Sequence, residues 1–322
     1  MSEPDAEAIG IDVGGTKTVA VRTSIAGAVL ARETRPTPAE DVDGTLSTIV
    51  EVARAVRTSG VVAAGVGAAG LVERPGGRMK FAPNLAWREL PLQEHLREEL
   101  GVPVVVDNDA TVAAWGELRF GAGRGYRHML FVGVGTGIGG GIVADGRLFR
   151  GAHGFAAEIG HIVVEPGGPR CGCGNHGCLE QVASGHALVR AAREVARRSP
   201  ESPIGRLAGS DPDRATGSVV TSAARQGDPE AIGILAEVGR RLGEGIGGLV
   251  NVLDPEVVVV GGGVAEAGEL LLGPARASFA DTVEGAAFRP PVPLVVAELG
   301  NDAGAVGAAA LALDAVAPDA TS

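Results

Sequence analysis

The chain has 322 residues, enough for about two domains, and with 45% hydrophobic and 21% charged residues it reads as a soluble globule rather than a disordered chain. A formal net charge of -11 sets the mean field against phosphate backbones and anionic lipid, so neither nucleic acid nor membrane is expected as a partner. The acidic opening "MSEPDAEA" is unlike a secretory signal, and the longest charge-free apolar run, Met129 to Ala144, is too short and glycine-rich to span a bilayer; a cytoplasmic location is expected.

In chain order, "AIGIDV", "TVAVRTS" and "AVLARE" read as strands joined by tight glycine turns, an antiparallel ribbon. From Val42 the apolar residues Leu46, Ile49, Val50, Ala53 and Val56 fall at helical spacing. "VVAAGVG" and "PVVVD" read as buried strands, with a helix carrying Leu92, Leu96 and Leu100 between them, and "ATVAAWGELRF" as the helix that follows. A second strand set opens at "HMLFVGVG" and continues through "GGIVADG" and "RLFRG". "IDVGGTKTVAV" and "FVGVGTGIGGGIV" form a weak internal repeat of strand, glycine turn with threonine, and strand. Such a repeat implies two similar α/β lobes facing across a cleft. Helices are expected over Gly185–Arg198 and Pro229–Leu253, then strands "EVVVV" and "VPLVVAE", and an alanine-rich helix from Asp302. Residues 199–219 read as a loop, the tail "DAVAPDATS" as loose, and Arg190, Arg193, Arg197 and Arg198 as one solvated helix face. The lobes are expected as residues 1–118, rejoined by the helix at about 302–315, and residues 119–301.

Two stretches, "GVGAAG" and "GTGIGG", fit a dinucleotide pattern, but neither opens a helix, and no Walker-type loop is present. Turns between strands can still cradle phosphate, because successive amides without side chains form an anion-binding concavity. Gly14, Gly15 and Thr16 in one lobe and Gly135, Thr136 and Gly137 in the other offer such amides and two hydroxyls; as plain hairpin turns they would need glycine too. A third turn, at Gly262 and Gly263 between a strand and a helix, suits close approach by a flat group such as adenine.

All three cysteines lie within "CGCGNHGC". An odd, clustered set in a reducing compartment points to metal rather than to disulfides. Cys171, Cys173 and Cys178 with one histidine complete the Cys₃His set of a structural Zn2+ site, and the spacing allows either His161 or His176 as fourth ligand. A full protein ligand set leaves no open position, so the zinc is not expected to be a catalyst.

"DVGGTK", "GTGIGGG", "EIGH", "CGCGNHGCLE" and "VVGGG", with "FAPNLAWRE", "WGE" and "ASGHALV", resemble the ROK family of sugar kinases and repressors over nearly the whole chain, and within it the actinobacterial ATP-dependent glucokinases. The resemblance implies an actin-like, ribonuclease H-like two-lobed sugar kinase fold, binding ATP, a divalent ion (Mg2+) and a hexose, and a homodimer or homotetramer. It favours His161 as the zinc ligand and implies that Glu158, His161 and Glu180 line the sugar site with Asn84. It supports Asp109 as the general base toward the sugar hydroxyl that attacks the γ-phosphate, with Asn108 on a neighbouring hydroxyl; either of the two also reads as a helix cap. The helix dipole is expected to keep Asp109 ionised. Asp12 is implied near the phosphates and Mg2+, with Lys17 beside it or supporting the turn. Asp107 and Thr111 stand where related enzymes often carry Glu and Asn, with no expected effect on chemistry. The expected activity is phosphorylation of the glucose 6-hydroxyl; N-acetylglucosamine, mannose or fructose is the alternative substrate. A sugar-responsive repressor is disfavoured, since only eight residues precede Ile9 and the charge is acidic.

Overall fold

The computed structural model describes residues 6–209 and 211–317. Its elements are β1 (Glu7–Val13), β2 (Lys17–Ser24), β3 (Val29–Pro36), α1 (Val42–Val56), β4 (Val61–Ala68), β5 (Leu71–Glu73), β6 (Arg78–Phe81), β7 (Arg88–Leu90), α2 (Leu92–Leu100), β8 (Val104–Asn108) and α3 (Asp109–Phe120). There follow β9 (Met129–Val134), β10 (Ile138–Ala144), β11 (Arg147–Leu148), α4 (Leu179–Ala183), α5 (Gly185–Arg198), α6 (Pro203–Ala208), α7 (Gly217–Arg225), α8 (Pro229–Leu253), β12 (Val257–Gly261), α9 (Glu269–Thr282), β13 (Leu294–Val296) and α10 (Ala303–Val316).

By backbone proximity the chain forms two compact units. The first takes residues up to Phe131, Gly140–Ala157 and those from Ala297 on; the second takes Val132–Gly139 and Glu158–Val296. Residues 119–131, 140–157 and 297–301, expected in the C-terminal lobe, thus group with the first unit by this measure. Among the bonds that tie 140–157 to it, Arg150 Nε donates to Asp107 at 2.6 Å, the Arg74 amide donates to the His153 carbonyl at 2.9 Å, and the Gly146 amide donates to the Arg127 carbonyl at 2.8 Å.

The first unit is built on a sheet of order β3-β2-β1-β4-β8, antiparallel through β3, β2 and β1 and parallel from β1 to β4 to β8. Short turns can join only antiparallel neighbours, and α1 and α2 supply crossovers for the parallel ones. Alternation along β1 sorts its side chains. Ile9, Ile11 and Val13 join a buried cluster with Leu46, Ile49 and Ala53 of α1 and Leu92, Leu96 and Leu100 of α2. Gly10 and Asp12 point to the opposite face, which α10 covers. A Cβ at Gly10 would stand 1.8 Å from the Ala305 carbonyl oxygen, and one at Gly65, its partner in register on β4, 1.9 Å from that of Ala308. Side by side, the two glycines let the backbone of an alanine-rich helix lie directly on the strands.

A second five-stranded sheet has the order β11-β10-β9-β12-β13, and a small antiparallel sheet, β5-β6-β7, carries Asn84 in its last loop. Residues 199–219 are not a plain loop. Ser202 caps α6, Pro203 occupies its first position, and α7 begins at Gly217, so residues that read as loop composition act as caps and helix starts. In the tail expected to be loose, Asp314–Val316 close α10, and Asp314 accepts from Trp115 Nε1 at 2.7 Å; residues 318–322 lie outside the described residues, as do Met1–Asp5 of the acidic opening. On α5, Arg197 and Arg198 are exposed and paired with Asp213 and Glu230. Arg190 is exposed as well, but donates to the carbonyl and side chain of Gln181. Among the described residues no helix is long and apolar enough to cross a membrane.

Candidate active site

In the first unit the parallel strands end together. Register sets Asp12 of β1 beside Gly67 of β4 and Gly67 beside Asp107 of β8, so the three carboxyl ends meet, with acidic residues on the two outer strands, β1 and β8, and a glycine between them. Asn108 closes β8 and caps α3, its Oδ1 accepting from the Ala110 and Thr111 amides at 2.9 and 3.1 Å, while its Nδ2 donates to the Gly70 carbonyl at 3.2 Å. One hydrogen of that amide is left for a ligand. Because Asn108 does the capping, Asp109 is spared for other work, its Oδ1 accepting from the Ala110 amide at 2.9 Å.

Asp109 has its pKa raised by burial, against the lowering effect of backbone amides. The helix-terminal amides thus favour the ionised form, as expected, but burial acts against them and sets the net direction. Asp12 is pushed up to about 7 by burial and then by the Asp109 charge, with Lys17 acting the other way. The Asp109 charge thus disfavours ionisation of Asp12, which a cation beside them would offset. Gly304 at the start of α10 makes room for Asp12, since a Cβ there would stand 3.2 Å from its carboxyl carbon. Between β1 and β2, the Gly14 amide donates to the Lys17 carbonyl at 3.0 Å, and the Thr16 carbonyl accepts from Thr37 at 3.0 Å. Asn84 packs against Gly15, where a Cβ would come within 3.0 Å of it. The first unit therefore gathers Asp12, Gly14, Gly15, Thr16, Lys17, Asn84, Asn108 and Asp109 at one end of its sheet.

In the second unit the Gly135–Gly137 turn joins β9 to β10, with the Gly135 amide donating to the Gly137 carbonyl at 3.0 Å. Gly262 lies against its flank: with φ +87° and a would-be Cβ 2.5 Å from the Val134 carbonyl oxygen, the position admits only glycine. The Val264 amide donates to that same oxygen at 3.0 Å. The second and third glycine turns, Gly263 included, are therefore neighbours.

His161, Cys171, Cys173 and Cys178 place their ligand atoms within 4.8 Å of one another. Tetrahedral zinc with bonds of about 2.0 Å to nitrogen and 2.3 Å to sulfur sets ligand–ligand edges of roughly 3.5–3.8 Å. The Cys173 and Cys178 sulfurs are 3.7 Å apart, and Cys171 Sγ is 3.5 Å from His161 Nδ1. Burial, followed by the neighbouring thiols, pushes Cys178 up to about 12, whereas at Cys173 burial is outweighed by hydrogen bonds that bring its pKa down. His176 is exposed and outside the group. His161 presents Nδ1 to the sulfurs and Nε2 to the Glu158 carboxylate, 3.9 Å away. Glu180 spans two features: Oε1 lies 3.4 Å from Cys171 Sγ, and Oε2 accepts from the Ile138 amide at 3.4 Å beside Gly137.

A model of the ROK family matches residues 8–315. The chain belongs to the ROK family. This ROK protein is 44% identical over 308 residues to a glucokinase of Streptomyces coelicolor, covering 94% of this chain and 96% of that one. It is 39% identical over 314 residues to a glucokinase of Thermotoga maritima, covering 96% and 98%. Among solved structures, a ROK family glucokinase from Streptomyces griseus in complex with glucose and AMPPNP matches with a TM-score of 0.88 at 43% identity, over 96% of this chain and 100% of that one. The actin-like α/β class expected from the sequence is the class of this ROK fold.

Two residues of the ROK site escaped the sequence reading. Asp107, passed over as a harmless departure, is fully buried and accepts from the Asn108 amide at 2.9 Å and from Arg150 Nε at 2.6 Å. It fixes the backbone on which Asn108 and Asp109 stand. The signal available was a charged residue inside the apolar run "PVVVD"; its partner, 43 residues on, carries no local signature.

Proposed function

We propose that this protein is an ATP-dependent glucokinase, transferring the γ-phosphoryl group of ATP to the 6-hydroxyl of D-glucose. The observation that carries the reading is Asp109, freed from capping by Asn108 and given a raised pKa by burial, in a chain 43% identical to a glucokinase solved with glucose and AMPPNP. A base poised above the ordinary carboxylate range accepts a proton more readily than a solvated aspartate does. The family resemblance supports Asn84, Asn108, Glu158, His161 and Glu180 as hydroxyl partners to the sugar. As O6 attacks the γ-phosphorus, its proton passes to an Asp109 carboxylate oxygen, the bond to the bridging oxygen breaks, and ADP leaves. The amides of Gly14–Thr16 and Gly135–Gly137 hold phosphate oxygens, and Gly262 and Gly263 receive the base. Lys17 adds positive charge beside Asp12.

Mg2+, held by Asp12 directly or through water, would supply neutralisation of charge on the transferring phosphoryl group. Zinc at His161, Cys171, Cys173 and Cys178 would supply rigidity to the loop that carries Glu158 and Glu180. The resemblance further supports a homodimer or homotetramer, which light scattering on the purified protein checks.

A coupled assay with ATP and magnesium across glucose, N-acetylglucosamine, mannose and fructose tests the activity: kcat/KM should be highest for glucose. Asp109→Ala should cost about 10² to 10⁴-fold in kcat while the protein still binds glucose. Retained turnover in that variant would remove Asp109 as the base, and no turnover with any sugar would remove the kinase reading.

A further inference from the structure

The Gly135–Gly137 turn is held from behind. The Gly185 amide donates to the Gly135 carbonyl at 2.9 Å, and the His186 amide to the Thr136 carbonyl at 3.1 Å. The buried Ser184 hydroxyl lies 2.9 Å from the same Thr136 oxygen, has the Glu180 carbonyl within reach, and accepts from the His186 amide at 3.1 Å. A trans peptide points its carbonyl and its N–H in opposite directions. The Gly135 carbonyl shares a peptide with the Thr136 N–H, and the Thr136 carbonyl shares one with the Gly137 N–H. Fastening those two oxygens to the first turn of α5 therefore aims the two amides away from α5. The fit is close at the back and open at the front: a Cβ at Gly185 would stand 2.7 Å from the Gly135 oxygen, whereas one at Gly135 would meet nothing within 4 Å.

The latch is continuous with the metal cluster. Cys178 is the N-cap of α4, a helix of only 5 residues, and Ser184 both ends α4 and caps α5. Arg190 of α5 reaches back to the Gln181 carbonyl, which ties the two helices together.

We propose that Ser184 and Gly185 are positioning residues for the nucleotide, aiming the Thr136 and Gly137 amides at its phosphates, and that metal ligation at Cys178 keeps this latch in place. The proposal rests on reading Gly135–Gly137 as a phosphate turn and the Cys₃His cluster as a zinc site. It gives the motif "ASGHALV" a task and makes the zinc serve ATP as well as sugar.

The test is equilibrium titration of zinc-replete protein with a non-hydrolysable ATP analogue and magnesium, without sugar. Ser184→Ala removes one hydroxyl and should weaken nucleotide binding about three- to tenfold, the scale of one hydrogen bond. Gly185→Ala should weaken it more, although alanine favours the helix there. Zinc content should stay at the wild-type level in both, and glucose affinity should be unchanged. Ser202→Ala, which deletes the equivalent capping hydroxyl of α6, should leave nucleotide affinity untouched. Stripping zinc from the wild type should weaken the nucleotide at least as much as Ser184→Ala does. Unchanged affinity in both latch variants overturns the latch, and unchanged affinity after zinc removal overturns the metal's part in it. Gly135→Ala separates the underlying reading: if its methyl, projecting into the open front, does not impair nucleotide binding, the phosphate turn itself is misassigned. If that methyl impairs binding and the latch variants do not, the latch alone fails.

Discussion

The two repeated glycine turns have the same length and opposite surroundings. The turn of Gly14–Thr16 stands beside Asp12 and Asp109, both raised by burial and Asp12 further by the Asp109 charge, and among the described residues its backbone is tied to Lys17 and Thr37. The turn of Gly135–Gly137 has no such pair; its carbonyls are fastened to α5, and Glu180 links it to the sulfur cluster. One copy of the motif is surrounded by titratable chemistry and the other by bracing. A duplicated strand–turn–strand unit can thus supply a reactive half and a rigid half without changing the turn itself.

Three further experiments sharpen that contrast. Zinc removal should act on the braced half: the KM for glucose is expected to rise by about 10 to 100-fold, the scale on which support around a ligand is felt, and metal add-back should restore it. A KM indifferent to the metal would detach the cluster from the sugar loop. Arg150→Met should act on the reactive half. It leaves the fully buried Asp107 without its charged partner, and denaturant titration should show a loss of about 2–3 kcal/mol, discounted because Arg150 is partly exposed, together with a fall in kcat as the Asn108–Asp109 backbone loosens. A stable variant with wild-type kcat would make the pair incidental.

The smallest effect concerns pH. Asp12 has a folded pKa of about 7, above its ordinary value near 4, so between those values the folded state binds protons that the unfolded chain has released. Stability from this group is therefore complete below about pH 4 and is lost as pH rises through about 7. Without added magnesium, Asp12→Asn should stabilise the protein at pH 8 by about 1–2 kcal/mol and by nearly nothing at pH 4. A difference independent of pH would mean that Asp12 is not ionising against a penalty. Asp109 follows the same sign, so kcat/KM should fall on the acid side at a pH above the ordinary carboxylate range.

Much of the architecture was legible because its signals are local. Alternation gave β1 and β2, spacing gave α1, and the bounds of α5 and α8 fall where the periodicity places them. The cysteine spacing disclosed the metal cluster; choosing His161 over His176 required the family resemblance, because both stand at feasible distances in sequence. What the sequence concealed is non-local. The Asp107–Arg150 pair joins segments with no shared pattern, and the direction of the Asp109 shift depends on desolvation by surroundings assembled from distant strands. Residues 199–219 misled for another reason: Ser202 and Pro203 belong as readily to a helix start as to a loop, and only neighbours to pack against decide which.

The seating of α10 on Gly10 and Gly65 also bears on how the protein is made. The strand that needs this cover is synthesised well before the helix that provides it, with every other element of the fold between them. At roughly 5–20 residues per second, the alanine face of α10 reaches β1 some tens of seconds after β1 emerges. Through that interval the glycine face of β1 and β4 lacks its cover.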